Sequence, residues 1–236
     1  FNLDGNSNDN IAIGDRALYS NRGLSTYSRN IAIGSQSQFR QYSGNNNVSI
    51  GVASLYSASN CFQNIVLGSS AAYSLNSGTE NVIIGTNTGL SLQSGDYNVI
   101  IGDTAGNAMT GGNNNIAIGS NAMQTMPGSN NTIIGKSAFA NQATSGSANT
   151  AIGYFAGNNR TTTGNWNVYI GYIGTNVSTS SIVYIGSGST LGVVIDSSGN
   201  TTASGNFTST GNGTINGTLD SVGTFAVGTR SSDATT

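Results

Sequence analysis

The sequence predicts an all-β protein, a parallel β-solenoid with coils of about 17 residues. The first observation is a five-residue motif that occurs ten times between Asn10 and Gly171. It consists of Asn, then a β-branched residue, then a variable residue, then Ile or Leu, and finally Gly. The second is its regular spacing, because most motif glycines lie 16 to 18 residues apart and the first two are 20 apart. A unit this short cannot hold a pair of helices or a propeller blade, but it fits one coil of a solenoid. Coils stack about 4.8 Å apart, which predicts a rod of roughly 50 Å.

Asn and Gly recur at the two ends of every motif copy, which predicts two structural columns along this rod. Asn and Gly tolerate positive φ, so we expect both at the corners of each coil. Stacked Asn side chains also form amide ladders along cross-β structures. The Asn column consists of Asn10, Asn30, Asn47, Asn64, Asn81, Asn98, Asn115, Asn131, Asn149 and Asn167. The Gly column consists of Gly14, Gly34, Gly51, Gly68, Gly85, Gly102, Gly119, Gly135, Gly153 and Gly171.

The three residues between Asn and Gly are expected to form a short strand. The first and third are almost always branched aliphatics, such as Ile11 and Ile13, and they share one face of the strand. We therefore predict that these two positions line the interior of the coil. The middle residue is then predicted to point outward, yet it is polar only at Ser49. Either this outer face is a slightly apolar surface, or copies of the same chain cover it.

Two further positions repeat after each glycine. The third residue is small in every coil, as in Ala17 and Ala105, which indicates close approach of a second wall to a thin core. The fifth residue is large in the first half of the array, and these side chains are predicted to stack in a column: Tyr19, Phe39, Tyr56, Tyr73 and Leu90.

Composition supports the solenoid and argues against several functions. Only 7% of the 236 residues are charged, against about 25% in ordinary domains. Stacked coils place equivalent side chains in contact, where like charges repel. The net charge of −2 without a basic cluster argues against nucleic-acid binding. No apolar run approaches 18 residues, so we expect no membrane insertion in this segment.

Cofactor and metal chemistry are not expected. The chain has no histidine, the commonest metal ligand and general base. Its one cysteine, Cys61, cannot form an internal disulfide and is predicted to be a small buried residue.

The chain divides into a lead-in (1–9), a β-roll repeat array (10–186) and a neck or shaft segment rich in Gly, Ser and Thr (187–236). The start, Phe1–Gly5, reads like the middle of a longer sequence. In the neck, short apolar segments alternate with polar residues. This pattern indicates short strands that become buried only when several chains intertwine. A flexible linker is the alternative.

The end of the array is more aromatic than the rest. These side chains form either a cap that closes the last coil or a sugar-binding surface. They are Trp166, Tyr169, Tyr172 and Tyr184.

The motifs Asn-Val-Ile-Ile-Gly and Asn-Ile-Ala-Ile-Gly, with a small residue three positions later, resemble the YadA-type head repeats of trimeric autotransporter adhesins. Similar repeats occur in tail-fibre proteins of bacterial viruses. The resemblance spans 10–186 and implies a left-handed parallel β-roll, an intertwined homotrimer and attachment without chemistry. The adhesin heads have shorter coils, so the extra length here is expected in the loops.

The C-terminal stretch Val194–Asn200 looks like the shaft segments of phage fibres, and no heptad stalk follows the array. We therefore expect a viral tail-fibre segment, located outside the cell on the virion, that binds a host-surface glycan or protein. The head of a bacterial adhesin at the cell surface is the alternative.

Two other functions have weaker support. A polysaccharide-cleaving tail spike needs two carboxylates within about 10 Å, for which Glu80, Asp96 and Asp103 are candidates, but solvated corner residues explain all three. An ice-binding solenoid needs a flat array of Thr, and Thr is not in register on any strand.

Overall fold

The computed structural model describes residues 9–19, 28–125, 128–140, 146–158, 164–171, 183–187, 190–196 and 198–203. These residues form β-strands and turns without a helix, so the all-β prediction is confirmed. The chain splits into two compact units, 1–205 and 206–236. The second unit lies outside the described residues, as do the lead-in up to residue 8 and the predicted neck beyond Ala203.

Short parallel strands, one per motif, build the solenoid. A thirteen-stranded sheet has the order β1-β2-β3-β5-β7-β8-β9-β10-β11-β12-β13-β14-β15, and β4 pairs with β6 in a second, two-stranded sheet. The strands are β1 (Ile11–Ile13), β2 (Ile31–Ile33), β3 (Val48–Ile50), β4 (Asn60–Phe62), β5 (Ile65–Leu67), β6 (Ser77–Thr79), β7 (Val82–Ile84), β8 (Val99–Ile101), β9 (Ile116–Ile118), β10 (Thr132–Ile134), β11 (Thr150–Ile152), β12 (Val168–Ile170), β13 (Val183–Ser187), β14 (Thr190–Ile195) and β15 (Thr201–Ala203).

The strands stack with equivalent motif positions in register. Ile83 pairs with Ile100, and Ile100 pairs with Ala117, all in parallel strands. Hydrogen-bonded ladder partners in these coils are 17 residues apart, so the predicted coil length is confirmed. The left hand of the coil stays a prediction from the resemblance.

The predicted direction of the strand side chains is wrong. The middle residues are buried, with Ile83, Ile100 and Ala117 all at 0% exposure. The first and third residues face outward, and Ile11 and Ile13 are 50% and 59% exposed. The solenoid core therefore consists of the variable middle residues, and the uniform branched aliphatics lie on its surface.

The thin core explains why the buried position varies. The fourth residue after each glycine lies across the core from the middle residue of the strand. Where that residue is Ile83, the facing residue is Gly89, and an added Cβ there would lie 3.6 Å from Ile83 Cγ2. The coil of Ala117 carries the larger Met123 instead, and both are fully buried. In these two coils a large side chain on one wall faces a small one on the other, so the residue type at the buried strand position can vary.

The predicted second wall is confirmed. The small residues three positions after the glycine are buried, including Ala71, Ala105 and Ala122 at 0% exposure. In the second and third coils this wall is polar, and the hydroxyl oxygens of Ser37 and Ser49 lie 2.8 Å apart across the core. Small side chains keep the two walls close.

The predicted positive φ at the corners is confirmed for the Gly column, whose members have φ between 91° and 140°, and is wrong for the Asn column. No described Asn of the Asn column has a positive φ. Positive φ occurs instead at the residue before it, as at Glu80 (φ 57°), and at the second and fourth residues after the glycine, as at Ala53 (φ 53°) and Leu55 (φ 50°). These left-handed residues turn the chain, which leaves the Asn side chain available for the ladder.

The regular stacking ends at β13. This strand still pairs in parallel with β12, whereas β14 and β15 continue the sheet antiparallel. The rings of Tyr169 and Tyr184 stack at 5.0 Å between centroids, and Val194 packs against the core cluster that contains them. The antiparallel strands therefore close the C-terminal end of the core.

Candidate functional site: an apolar face and its polar ladders

A ladder of buried asparagines joins the coils. The Nδ2 of Asn98 donates to Asn81 Oδ1 (3.0 Å) and to the Gly112 carbonyl (2.8 Å). Its Oδ1 accepts from the backbone nitrogen (3.0 Å) and the Nδ2 (3.1 Å) of Asn115. All column members from Asn30 to Asn167 are at most 1% exposed. The predicted ladder is confirmed for this range.

A second ladder, which the sequence analysis did not find, runs beside it. The side-chain oxygen two residues before the motif Asn accepts from the backbone nitrogen of the equivalent residue one coil earlier. Asp96 Oδ1 accepts from Thr79 (2.8 Å), and Asn113 Oδ1 accepts from Asp96 (2.8 Å). The signal was the frequent Asn, Asp or Ser at this position in the loops. It was obscured because side chains of three kinds perform the same acceptor role.

The exposed apolar side chains are concentrated on one side of the solenoid. Fourteen large hydrophobic side chains among the described residues are exposed. All but Tyr19 fall in four columns: the first and third strand positions, the residue before the motif Asn and the residue after the glycine. We call these four columns the apolar face. Its exposed members are Ile11, Ile13, Ile50, Val52, Ile65, Tyr97, Ile116, Ile134, Ile152, Tyr154, Trp166, Ile170 and Ile185.

The aromatic residues proposed for sugar binding do not form one surface. Trp166 is 70% exposed and lies on the apolar face. Tyr169 and Tyr184 are 0% and 2% exposed, so their prediction as surface residues is wrong. The sequence analysis did not predict the burial of Tyr169 and Tyr184, because it placed the first and third strand residues, and not the middle residue, in the interior. Tyr172 lies outside the described residues.

The aromatic column after the glycine is confirmed for its first four members. The ring centroids of Tyr19 and Phe39 are 5.3 Å apart, those of Phe39 and Tyr56 5.0 Å, and those of Tyr56 and Tyr73 4.6 Å. The Arg40 guanidinium lies 5.5 Å from the Tyr56 ring centroid. Such contacts add modest stability to stacked coils.

The candidate catalytic carboxylates occupy ordinary corner positions. Glu80 and Asp103 are exposed at different corners, and Asp96 belongs to the second ladder. Across the described ranges, no group of three or more His, Cys, Asp or Glu side chains is arranged to hold a metal.

Cys61 is fully buried, as the sequence predicted. Burial raises the pKa of its thiol to about 12, and a backbone hydrogen bond with Gly78 opposes this only partly. The thiol Sγ donates to the Leu75 carbonyl at 3.6 Å. Because the thiolate is the nucleophile, we expect this cysteine to react slowly in the folded chain.

We expect the native protein at pH 8 to react with a thiol reagent at least about 100-fold more slowly than the unfolded protein, because both access and thiolate fraction fall. Timed alkylation read by intact mass, with and without guanidinium, measures this. Since the folded pKa is above the unfolded value, the neutral thiol favours folding below about pH 8.5, and this contribution is lost as the pH rises toward 12. Equal rates in both states would contradict the buried position.

No helix in the described part of the chain is long and apolar enough to cross a membrane. No protein-family model matches the chain, and neither the curated proteins nor the solved structures contain a significant match.

Proposed function

We propose that the chain is a non-enzymatic segment of a homotrimeric attachment fibre. The observation that supports this most is the continuous stack of equivalent coils, joined by an uncharged Asn ladder, with an apolar face left uncovered along the sheet. Such a stack repeats the same side-chain columns on every rung. This arrangement suits a rigid extended scaffold better than a catalytic cleft.

The partner on the host side would be a surface glycan or protein. Three copies on one rod present three equivalent binding surfaces, so a second contact becomes intramolecular after the first. This raises avidity without any new contact. The fibre would work outside the cell, with no cofactor.

Within this proposal we favour a viral tail fibre over the head of a bacterial adhesin. The support is the stretch after the array, where Asp196 accepts hydrogen bonds from Ser198 and Asn200 in the turn between β14 and β15. The Asn200 side chain also donates from Nδ2 to Asp196 Oδ2 (2.9 Å). This hydrogen bond, together with the weaker effect of the backbone hydrogen bonds, lowers the pKa of Asp196. A compact polar turn joining short antiparallel strands is consistent with a shaft segment. A cleaving tail spike is disfavoured by the ladder role of Asp96.

Binding without cleavage tests this function. We expect the labelled protein to bind a subset of immobilised bacterial surface polysaccharides and intact cells in a saturable manner, and to release no reducing ends over hours. Heat-dissociated protein is the control, because it lacks multivalency. If the protein releases reducing ends and Glu80→Gln with Asp96→Asn abolishes this release, the chain is a cleaving tail spike and the non-enzymatic fibre proposal is wrong. Absence of binding to every cell and polysaccharide tested would count against an attachment function.

A further inference from the structure

We propose that the apolar face is the surface through which two further copies of this chain pack, in parallel and with their coils aligned. This rests on the proposed trimer and assigns its interface. The sequence analysis placed the covered surface on the middle strand residues, which are in fact the core. The first and third strand positions take over that role.

The size of the apolar face is compatible with an interface. Ten parallel pairings connect β1 to β13. With strands about 4.8 Å apart and residues about 3.3 Å apart, the two inner columns cover roughly 500 Å², and all four columns on the order of 1,000 Å². The two inner columns alone therefore match the largest apolar patch of a typical monomer, about 300–600 Å², and such patches are often functional. A stable interface buries about 800 Å² on each partner, which the inner columns reach together with their polar flanks.

Its composition has the pattern of an interface. The two inner columns contain no charged residue in any coil, and their only polar members in the described strands are Thr132 and Thr150. The two outer columns are mostly polar and carry the few charges, including Arg29, Glu80 and Lys136. An apolar centre with a polar rim is the usual organisation of a protein interface.

Periodicity points to a second copy as the occupant. The inner columns repeat on every rung, so a partner must present matching side chains at the same spacing to bury them all. Another copy of this stack has that spacing by construction. Because the centre is uncharged, identical faces approach without electrostatic repulsion. A hydrated glycan would leave its hydroxyl groups unpaired against Ile and Val side chains, which is unfavourable.

The exposed aromatic side chains of the outer columns fit the same role. Tyr97 and Trp166 precede their motif Asn, and Tyr154 follows its glycine, with 55%, 70% and 57% exposure. They flank the centre on both sides. Large aromatic side chains are enriched at interfaces because they bury much area with few rotatable bonds. Trp166 is therefore assigned to packing between copies rather than to a sugar.

Lysine substitutions at the centre test the assignment. Ile65 and Ile134 are 43% and 37% exposed in the single chain, so Ile65→Lys with Ile134→Lys leaves the core of each solenoid unchanged. The matched control, Gln93→Lys with Ala108→Lys, adds the same charge at exposed positions outside the four columns. We expect sedimentation velocity to give three times the 23.9 kDa chain mass for the wild type and the control. The centre variant should sediment as a monomer with an unchanged far-ultraviolet circular dichroism spectrum.

The outcomes separate this inference from the proposed function. A folded centre variant that remains trimeric would overturn the interface and leave the fibre proposal standing. A monomeric wild type would overturn both the interface and the trimer. If the lysine variant fails to fold, Ile65→Thr with Ile134→Thr decides, because Thr132 and Thr150 already occupy the face. That variant should dissociate at protein concentrations at least about tenfold higher than the wild type, and unchanged dissociation would contradict the inference.

Discussion

Gly102→Ala is expected to destabilise the protein by roughly 3–5 kcal/mol. Gly102 has φ +133°, a conformation that L side chains rarely adopt. An added Cβ would also lie 2.6 Å from the carbonyl carbon and oxygen of Gly119 in the next coil. Backbone atoms of a stacked coil cannot move without separating the coils. The cost therefore includes both strain and lost stacking.

Gly89→Ala is the matched control. Gly89 also has a positive φ, +58°, but the nearest atom to an added Cβ is Ile83 Cγ2 at 3.6 Å. Ala72 occupies the equivalent position one coil earlier with φ 49°. We expect a change of less than about 1 kcal/mol. Urea unfolding followed by circular dichroism measures both variants, and equal losses would show that the coils do not stack as described.

Asn98→Asp is expected to cost roughly 3–5 kcal/mol at pH 7, because it places a carboxylate at a fully buried position. The change removes the two hydrogen bonds that Nδ2 donates to Asn81 Oδ1 and the Gly112 carbonyl. Those acceptors then face the oxygen atoms of the new carboxylate. The Gly112 carbonyl loses this donor, Asn81 Oδ1 keeps only the backbone nitrogen of Asn98 (2.9 Å), and a charge is added beside both acceptors.

The effect of Asn98→Asp should depend on pH. Burial without a cation raises the pKa of the new carboxyl above about 3.9, its value in the unfolded chain. The variant is therefore least destabilised below about pH 4, where the acid is neutral and donates one hydrogen bond, and loses stability as the pH rises through the folded pKa. Urea unfolding at pH 3.5 and pH 7 measures the difference.

Asn45→Asp provides the control for this substitution. Asn45 belongs to the second ladder, where its Oδ1 only accepts, from the Ser28 backbone nitrogen at 2.7 Å. Asp96 performs the same role three coils later in the array. We expect a change within about 0.5 kcal/mol at pH 7. A loss of stability as large as that of Asn98→Asp would show that a carboxylate costs no more in the Asn column than in the second ladder.

Features that depend on one residue type per coil were predictable from the sequence. The Asn column, the aromatic column and the in-register strands each follow from exact repetition, because stacked coils place equivalent residues in contact. The Asn ladder could be predicted residue by residue, since only a side chain with both a donor and an acceptor can continue it.

The direction of the strand side chains was not predictable by the same reasoning. Uniform Ile and Val predict core positions, but a thin core can instead combine different sizes on its two walls, as in Ile83 with Gly89. The uniform aliphatics lie on the face that a regular partner would cover. The positions of Tyr169 and Tyr184 in the core follow from the same reversal.

Side-chain amide hydrogen exchange tests the stacked, Asn-joined coils most directly. In protein labelled with ¹⁵N only at Asn, the buried Nδ2 protons of Asn81, Asn98 and Asn115 should persist in D₂O for hours, whereas those of the exposed Asn46 and Asn114 should exchange within minutes. Exchange of every Asn side chain within minutes in the folded protein would contradict a continuous buried ladder.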